Sequence, residues 1–538
     1  MKIINNVRLY RPYDKENTDD IYHIGVENGK ISFIKKGLSE EQGSNIVDEK
    51  GKILTAAFND SHMHLLRFGF MKKEIDLRKV TSFSEMKKIV HNTFEEEKME
   101  EHDWLVGRGL IDSQLKDKDK PLTAEDLEEL EYSKPAYFLH DDGHECVLNK
   151  EALNIVKEEP DLLRNHEQFI EKDKEGQWTG RFKDTAVHFI KFHFRKKEQE
   201  EIYKALEMAI PSLLENGISS VHTDDLNFAG DFEKLWNTYR TLENEGKLLI
   251  DVWLHHYIFN KNDLADYLNK WKLRTGDGSD QVKIGAVKIF LDGTQRLHTS
   301  ALREPYSDRP HTRGTLIYSQ EELRDIVQLA DENNMQVAMH AIGDRAVEQA
   351  LDALGNVDTK KRRHRIIHAQ VLAPDLLQKL EEIKPYLETQ PGFMMDEHDQ
   401  TVNWVGTERE RYCNPWKTVL ERGIPFTCSS DTPIGPLSPI QEIYAGVNRM
   451  DLDGKPEGGW IPEEKLSVDD CFYAYTVRAA ELEHRENEKG KIETGHKADF
   501  ILLDTHPKDI ESRDLYKLQV SETWINGKKV YDRSEQKK

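Results

Sequence analysis

Cysteine is scarce in this chain, with four residues in 538: Cys146, Cys413, Cys428 and Cys471. They lie far apart along the chain, and no two of them form a C-x-x-C pair. That spacing argues against a disulfide framework and against a zinc site built from thiolates. We therefore expect the four thiols to be reduced and mostly buried as small apolar side chains.

Long apolar runs are also missing. No segment approaches the roughly 20 apolar residues that cross a bilayer as a helix. The first residues, MKIINNVRLYRPYDKEN, carry charges where a secretion signal needs an unbroken apolar core. These features predict a cytoplasmic protein that does not act at a membrane.

The chain also lacks an excess of positive charge. The chain has 76 Lys and Arg against 99 Asp and Glu, a net charge of -23. Such a balance favours solubility and disfavours contact with nucleic acid or anionic lipid. We expect a small-molecule substrate instead of a polyanionic partner, and a homodimer is the candidate assembly.

The central part of the chain alternates between apolar strands and helical patterns, which indicates a parallel sheet wrapped by helices. One helix is well marked, because Ser319 and Glu322 form a capping box before an apolar face. Eight strands close a (β/α)8 TIM-like barrel, so an α/β barrel is the predicted fold. The eight strand candidates begin at Ile53, Ile218, Leu249, Val282, Met335, Arg365, Tyr386 and Ile424.

Both ends of the chain carry β-like segments with Asn-Gly turn signals, at Asn28-Gly29 and at Asn526-Gly527. We expect residues 1–56 and 487–538 to form one composite β-sandwich, with the barrel domain in residues 57–486. The gap between the first two barrel strands, about 75–195, is far longer than an ordinary βα connection. It predicts an inserted subdomain after the first barrel strand.

Five residues with metal-binding side chains follow or end the predicted strands: His62, His64, His340, His368 and Asp431. Each has an ordinary alternative, since a lone His at a strand end is often structural and an Asp often caps a turn. In a closed barrel, however, the carboxyl ends of the strands surround one mouth, so these groups should converge. Four imidazoles and a carboxylate suit an ion such as zinc.

These residues and a series of motifs around them resemble the amidohydrolase superfamily, and within it the amidohydrolase-3 branch of N-substituted formamide deformylase-like enzymes. The resemblance runs nearly end to end. In chain order the motifs include NDSHMHL (59–65), GRGLID (107–112), HDDGHECVLNKEAL (140–153), VKIFLDGT (287–294), HAIGDRA (340–346), IIHAQ (366–370) and SSDTP (429–433).

The resemblance implies a centre of divalent metal ions, with two zinc ions expected and one as the alternative. The implied ligands are His62, His64, Lys288, His340, His368 and Asp431. Lys288 would bridge the two ions after reacting with carbon dioxide, because a carbamate offers two acceptor oxygens whereas an ammonium offers only donors. The ordinary alternative is an unmodified Lys288 beside Asp292, at a site that holds one ion.

The implied activity is hydrolysis of a C–N bond in an amide, formamide or cyclic ureide by a metal-activated water, with Asp431 as the general base. Similarity of DGHECVLN to the branch implies that His144 binds substrate. A mononuclear deaminase on the same scaffold and a non-catalytic metal-binding regulatory protein are the alternatives. The stretch TQRLHTSA departs from the branch, and we expect its Arg296 and His298 to be solvated loop side chains.

Overall fold

The computed structural model describes residues 1–14, 20–39, 45–96, 104–140, 145–158, 167, 169–183, 186–187, 190 and 198–535. Contacts divide the chain into two units. One unit combines Met1–Leu65 with Ala209–Lys538, and the other is Leu66–Met208. The first unit contains a barrel sheet and a sheet made from both termini, and the second contains a separate sheet.

The barrel sheet has eight strands, and every neighbouring pair is parallel. Numbered along the chain, they are β6 (Phe58–Met63), β13 (Ile218–Thr223), β14 (Asp251–Tyr257), β15 (Val282–Phe290), β16 (Val337–Ala341), β17 (Arg365–His368), β18 (Tyr386–Thr389) and β19 (Phe426–Cys428). The two outer strands, β6 and β19, approach each other where the Ser61 hydroxyl donates to Thr427 Oγ1 at 2.7 Å. The predicted TIM-like barrel is therefore confirmed.

All eight predicted strands are present, but the first divides in two. β5 (Ile53–Ala56) belongs to the terminal sheet, and β6 belongs to the barrel. The backbone changes partner at this point, because Ala57 N donates to Asp499 O whereas Phe58 N donates to Gly217 O. One continuous extended segment, Ile53 to Met63, therefore supplies a strand to each of two sheets.

The terminal sheet joins the two ends of the chain, since β5 pairs antiparallel with β20 (Phe500–Leu503). Its other strands are β1 (Lys2–Leu9), β2 (Ile21–Glu27), β3 (Lys30–Lys36), β4 (Ile46–Asp48), β21 (Val520–Ile525) and β22 (Lys528–Asp532). Both Asn-Gly turns adopt positive φ and close hairpins, as predicted. The sheet folds over an apolar core that includes Ile4, Leu54 and Trp524, and an isolated bridge from Lys30 to Lys497 joins its two halves.

The second unit carries a six-stranded sheet with the order β11-β12-β10-β9-β8-β7. These strands are β7 (Ile75–Asp76), β8 (Leu105–Leu110), β9 (Ala136–His140), β10 (Glu145–Leu148), β11 (Ile170–Lys172) and β12 (Trp178–Lys183). Two apolar clusters pack within this unit, one around Met86 and Phe138 and one around Cys146 and Phe182.

The described helices are Leu65–Lys73, Phe83–Glu96, Lys150–Glu158, Gln199–Glu215, Leu226–Ala229, Phe232–Asn244, Lys261–Lys270, Gln320–Glu332, Asp344–Leu354, Thr359–Arg362, Pro374–Ile383, Phe393–Val405, Thr407–Glu410, Trp416–Glu421, Pro439–Asn448, Val468–Tyr473 and Ala479–Leu482. The predicted capping box is present, with the Ser319 side chain accepting from Glu322 N. Within the described ranges, none of these helices is long and apolar enough to cross a bilayer. All four cysteines are free and buried.

Candidate metal centre

The fold gathers six predicted side chains at the carboxyl ends of the barrel strands. Two come from the end of β6, one each from β15, β16 and β17, and one follows β19: His62, His64, Lys288, His340, His368 and Asp431. All six are buried. Parallel pairing aligns the carboxyl ends of these strands, so residues more than 300 positions apart in sequence become neighbours.

Asp431 lies at the centre of the group. Its Oδ1 atom is 3.1 Å from His64 Nε2 and 3.4 Å from His62 Nε2. On the other side, Lys288 Nζ is 3.3 Å from His62 Nε2. The ligand atoms of His62, His368 and Asp431 all lie within 4.8 Å of one another. These three groups form one candidate site for a metal ion.

His340 extends the group beyond that site. Its ring centroid is 4.6 Å from that of His368. Its Nε2 atom lies 3.2 Å from the carbonyl oxygen of Gly293 and 3.5 Å from Asp292 Oδ1. In this arrangement His340 is next to the candidate site, while its Nε2 hydrogen bonds to the backbone.

Two of the imidazoles are oriented by hydrogen bonds from their second ring nitrogen. His64 Nδ1 lies 2.9 Å from the carbonyl oxygen of Asp224, and His368 Nδ1 lies 2.7 Å from Gln390 Oε1. Both partners are oxygens that only accept, so Nδ1 carries a proton, and in the neutral ring Nε2 keeps its lone pair. Metal-binding histidines are commonly oriented in this way.

Burial sets the protonation states of the group. It lowers the pKa of His62 well below its usual value, with the charge of Lys288 adding to the effect, and it lowers the pKa of His368 to about 4. Burial alone would raise the pKa of Asp431, but the adjacent His64 imidazole, whose own pKa is raised by the Asp431 carboxylate, outweighs it and the net shift is downward. Neutral imidazoles and a carboxylate are the protonation states that bind a cation.

The backbone at the strand ends is unusual for non-glycine residues. His368, Ala369 and Asp431 have φ values of 74°, 47° and 52°. Left-handed conformations of this kind cluster at functional sites, where the surrounding structure must hold them. Asp60 supplies part of that support, since its carboxylate accepts from Ser430 N at 3.1 Å and from His62 N at 3.3 Å.

Several buried polar atoms of this group have no hydrogen-bond partner within the described residues: Asp431 Oδ1, His62 Nδ1 and both carboxylate oxygens of Asp224. Leaving such atoms unpaired is costly, and a cation would compensate the carboxylates. The donor set of imidazoles and carboxylates also matches a divalent ion. The residues present therefore fit a metal ion.

The alternative in which Lys288 pairs with Asp292 is not what the fold shows. The Asp292 carboxylate accepts backbone N–H groups from Ala301, Ile342 and Gly343 at 2.8 to 3.1 Å. It therefore fixes the loops beside His340. Lys288 Nζ has no carboxylate within ion-pair distance among the described residues.

Sequence reasoning missed Asp224 and Gln390. Both directly follow barrel strands, β13 and β18, so the position that identified Asp431 would also have identified them. His298, expected to be solvated, is instead 8% exposed and lies 2.8 Å from Asp308. His144 is outside the described residues, and its substrate-binding role stays a prediction.

The family model described as "Amidohydrolase family" matches residues 45–531. The chain belongs to the amidohydrolase family. This amidohydrolase is 30% identical over 529 residues to the amidohydrolase YtcJ of Bacillus subtilis, covering 96% of this chain and 97% of that protein. It is 24% identical to the N-substituted formamide deformylase of Arthrobacter pascens, covering 95% and 94% of the two chains.

A solved structure of a metal-dependent hydrolase from Pyrococcus furiosus superposes on this amidohydrolase with a TM-score of 0.75. The two chains are 27% identical, and the match covers 94% of this chain and 99% of that one. The family, its relatives and the fold agree with the resemblance seen in the motifs. This amidohydrolase is a hydrolase that acts on carbon–nitrogen bonds, and it belongs to a family of metal-dependent enzymes.

Proposed function

We propose that this amidohydrolase hydrolyses the C–N bond of a small amide-like molecule, such as an amide, a formamide or a cyclic ureide, at a centre of two zinc ions. The observation that carries the proposal is the convergence of six buried side chains at the barrel mouth, where carboxylate oxygens stay unpaired among the described residues. A relative that is an N-substituted formamide deformylase supports the choice of amides and formamides.

The proposed ligand sets are those that the family resemblance implies. His62, His64 and Asp431 would hold one ion, and both imidazole Nε2 atoms lie within 3.4 Å of Asp431 Oδ1. His340 and His368, with ring centroids 4.6 Å apart, hold the second. Lys288, if carboxylated, would supply ligand oxygens to both ions, and its buried position without an acidic partner in the described residues supports this role.

A divalent ion at such a site would supply Lewis acidity, which lowers the pKa of water and polarises the scissile carbonyl. The chain itself supplies the proton transfer. Asp431 accepts a proton from the attacking water at Oδ1 and delivers it to the nitrogen as the C–N bond breaks. Hydrogen bonds to Asp224 O and Gln390 Oε1 keep His64 and His368 in fixed orientations.

Metal content tests the two-ion centre. We expect about two zinc ions per chain in protein prepared with bicarbonate and excess zinc, and a carbamate carbon signal after labelling with carbon-13 bicarbonate. Lys288→Ala should lower metal content and activity together, and a short carboxylic acid should partly restore both. Lys283→Ala is the matched control, because Lys283 lies in the same strand and donates to Gly276 O at 3.3 Å.

A deaminase with one ion is the second candidate, and one observation favours it. The ligand atoms of three residues, His62, His368 and Asp431, already converge within 4.8 Å, whereas His340 Nε2 hydrogen bonds to Gly293 O. One ion per chain, no carbamate signal and unchanged zinc content in Lys288→Ala would favour this candidate over the two-ion hydrolase.

The substrate class is tested by measuring turnover with a panel of amides, formamides, cyclic ureides and amino-substituted heterocycles. We expect turnover of the first three classes and loss of that turnover on metal removal, with recovery on adding zinc. Ammonia release from the heterocycles alone would replace the proposal with the deaminase. The expected homodimer and the cytoplasmic location stay predictions.

A further inference from the structure

A line of aromatic rings connects the candidate metal centre with solvent. The Phe290 ring centroid lies 4.8 Å from that of His340 and 4.6 Å from Lys288 Nζ. Tyr257 is the next ring, 5.6 Å from Phe290, and Phe259 follows at 4.7 Å from Tyr257. We name Phe290, Tyr257 and Phe259 the aromatic wall.

The aromatic wall stands at the mouth of the barrel. Phe290 and Tyr257 are the last residues of the adjacent parallel strands β15 and β14, and Phe259 follows β14 by two residues. Phe290 and Tyr257 are half-buried, whereas Phe259 is 66% exposed. Exposure thus increases along the wall from the metal centre outward.

Phe259, at the outer end of the wall, is exposed to solvent, but its backbone is fixed by a hydrogen bond. The Tyr318 hydroxyl donates to the backbone oxygen of Phe259 at 2.8 Å. The neighbouring Ile317 is 56% exposed, and its backbone N donates to Leu291 O just beyond β15. Two large apolar side chains therefore face solvent above adjacent strand ends.

Exposed apolar groups next to a pocket of polar groups are typical of ligand-binding sites. The aromatic wall also has the geometry to receive a ring. Its successive rings meet edge to face, at 79° and 71°, and a further aromatic ring can join such an array in the same geometry beside the exposed Phe259. A small polar substrate would not use these rings.

We propose that the aromatic wall binds an aryl group linked to the hydrolysed amide, so that the substrate is an arylalkyl amide. The inference rests on the proposed function, because the amide is placed at the metal centre beside His340. The wall would add affinity through the ring while leaving the chemistry at Asp431 unchanged.

Equilibrium binding to the zinc-loaded protein tests the proposal without requiring turnover. The probes are N-phenylbutyl acetamide, N-butyl acetamide and N-methyl acetamide. We expect the phenyl group to tighten binding about two- to tenfold over the butyl chain, the range that aromatic pairs contribute. Phe259→Ala and Tyr257→Ala should each remove most of that gain and leave N-methyl acetamide binding unchanged.

The matched control is Leu249→Ala. Leu249 precedes β14 at the opposite end of the barrel and is 36% exposed, so its loss should not change the phenyl preference. Equal binding of the phenyl and butyl probes, or a phenyl preference that survives both wall substitutions, would overturn the proposal. A wall-dependent phenyl preference in a protein that hydrolyses no amide would support the wall and refute the proposed function instead.

Discussion

Buried charges occur at both ends of the barrel strands, and their partners differ. Toward the amino-terminal ends, Arg365 donates to Glu388 at 2.5 Å, and Lys489 lies 3.2 Å from both Glu483 and Asp251. We call these five residues, with His222, the basal cluster. At the carboxyl ends, Lys288 and Asp224 have no oppositely charged side chain within ion-pair distance in the described chain.

The difference separates a structural cluster from a binding site. A buried charge costs free energy unless an opposite charge and hydrogen bonds compensate it. The basal cluster pairs its carboxylates with Arg and Lys side chains, so its charges are balanced without a ligand. In the described part of the chain, Asp224 has no charged partner and Asp431 has only the imidazoles of His62 and His64, which is the state expected of a site completed by a cation.

Removing a charge from the basal cluster should have the largest effect on stability. Arg365→Met leaves Glu388 buried without its cation, and such losses cost about 3–5 kcal/mol in the free energy of unfolding. Chemical denaturation measures the loss. The control is Arg422→Met, because Arg422 forms an exposed pair with Glu381 at 3.5 Å and should cost under about 1 kcal/mol. Equal losses of unfolding free energy in the two variants would contradict the conclusion that Arg365 compensates a buried charge.

Acid should destabilise the protein through the basal cluster. Burial, with the nearby charge of Arg365, holds the pKa of His222 at about 4 in the folded protein although Glu483 opposes the shift. The unfolded chain binds the proton near its usual pKa of about 6.5, so stability falls as pH drops from about 6.5 to 4, by about 3 kcal/mol.

His222→Gln should remove the contribution of His222, about 3 kcal/mol, since an amide does not titrate in that range, while the other buried histidines keep theirs. The measurement is the free energy of unfolding between pH 7 and pH 4 for both proteins. If the two pH profiles run parallel, His222 is not the titrating group.

At the metal centre, substitution should affect turnover more than stability. Asp431→Asn keeps the shape of the side chain but cannot accept a proton at neutral pH. We expect kcat to fall at least about a hundredfold, equivalent to about 2.7 kcal/mol in the barrier. Zinc content and the unfolding temperature serve as controls and should stay close to those of the parent protein. A kcat near that of the parent would disprove the role of Asp431.

The smallest expected change in the free energy of unfolding is that of Asp224→Asn, and it should be a gain, whereas Arg365→Met should cause a loss. Asp224→Asn removes a fully buried carboxylate whose two oxygens lack partners among the described residues. In metal-free protein we expect a gain of about 1 kcal/mol in the free energy of unfolding, because the desolvated charge is gone. Zinc titration should show weaker binding. If the metal-free variant is less stable than the parent, Asp224 is compensated within the protein, as the charges of the basal cluster are.

Much of the barrel could be predicted from the chain. All eight strands were found because buried parallel strands are short apolar runs bounded by turn signals. The division of the first run into β5 and β6 could not be found in this way, since no turn signal separates the two strands and only their distant partners differ. Those partners, Asp499 and Gly217, lie far along the chain.

The residues of the candidate site could be predicted as well as the barrel strands could. His62 and His64 alternate along one strand, and Asp431 follows another, so the rule that strand ends converge was enough to bring them together. The uses of Asp292 and His298 were not predictable. The first accepts three backbone N–H groups from two loops, and the second is buried beside Asp308.

Local sequence patterns are enough to specify the parallel barrel, the terminal hairpins and the residue types at the strand ends. Local periodicity and turn chemistry encode these features within a few residues. The three-dimensional contacts, by contrast, are needed to show which buried charges have Arg or Lys partners, and that Phe290, Tyr257 and Phe259 form a wall reaching solvent. Both outcomes depend on contacts between separate strands and loops, and no local pattern specifies the distances across them.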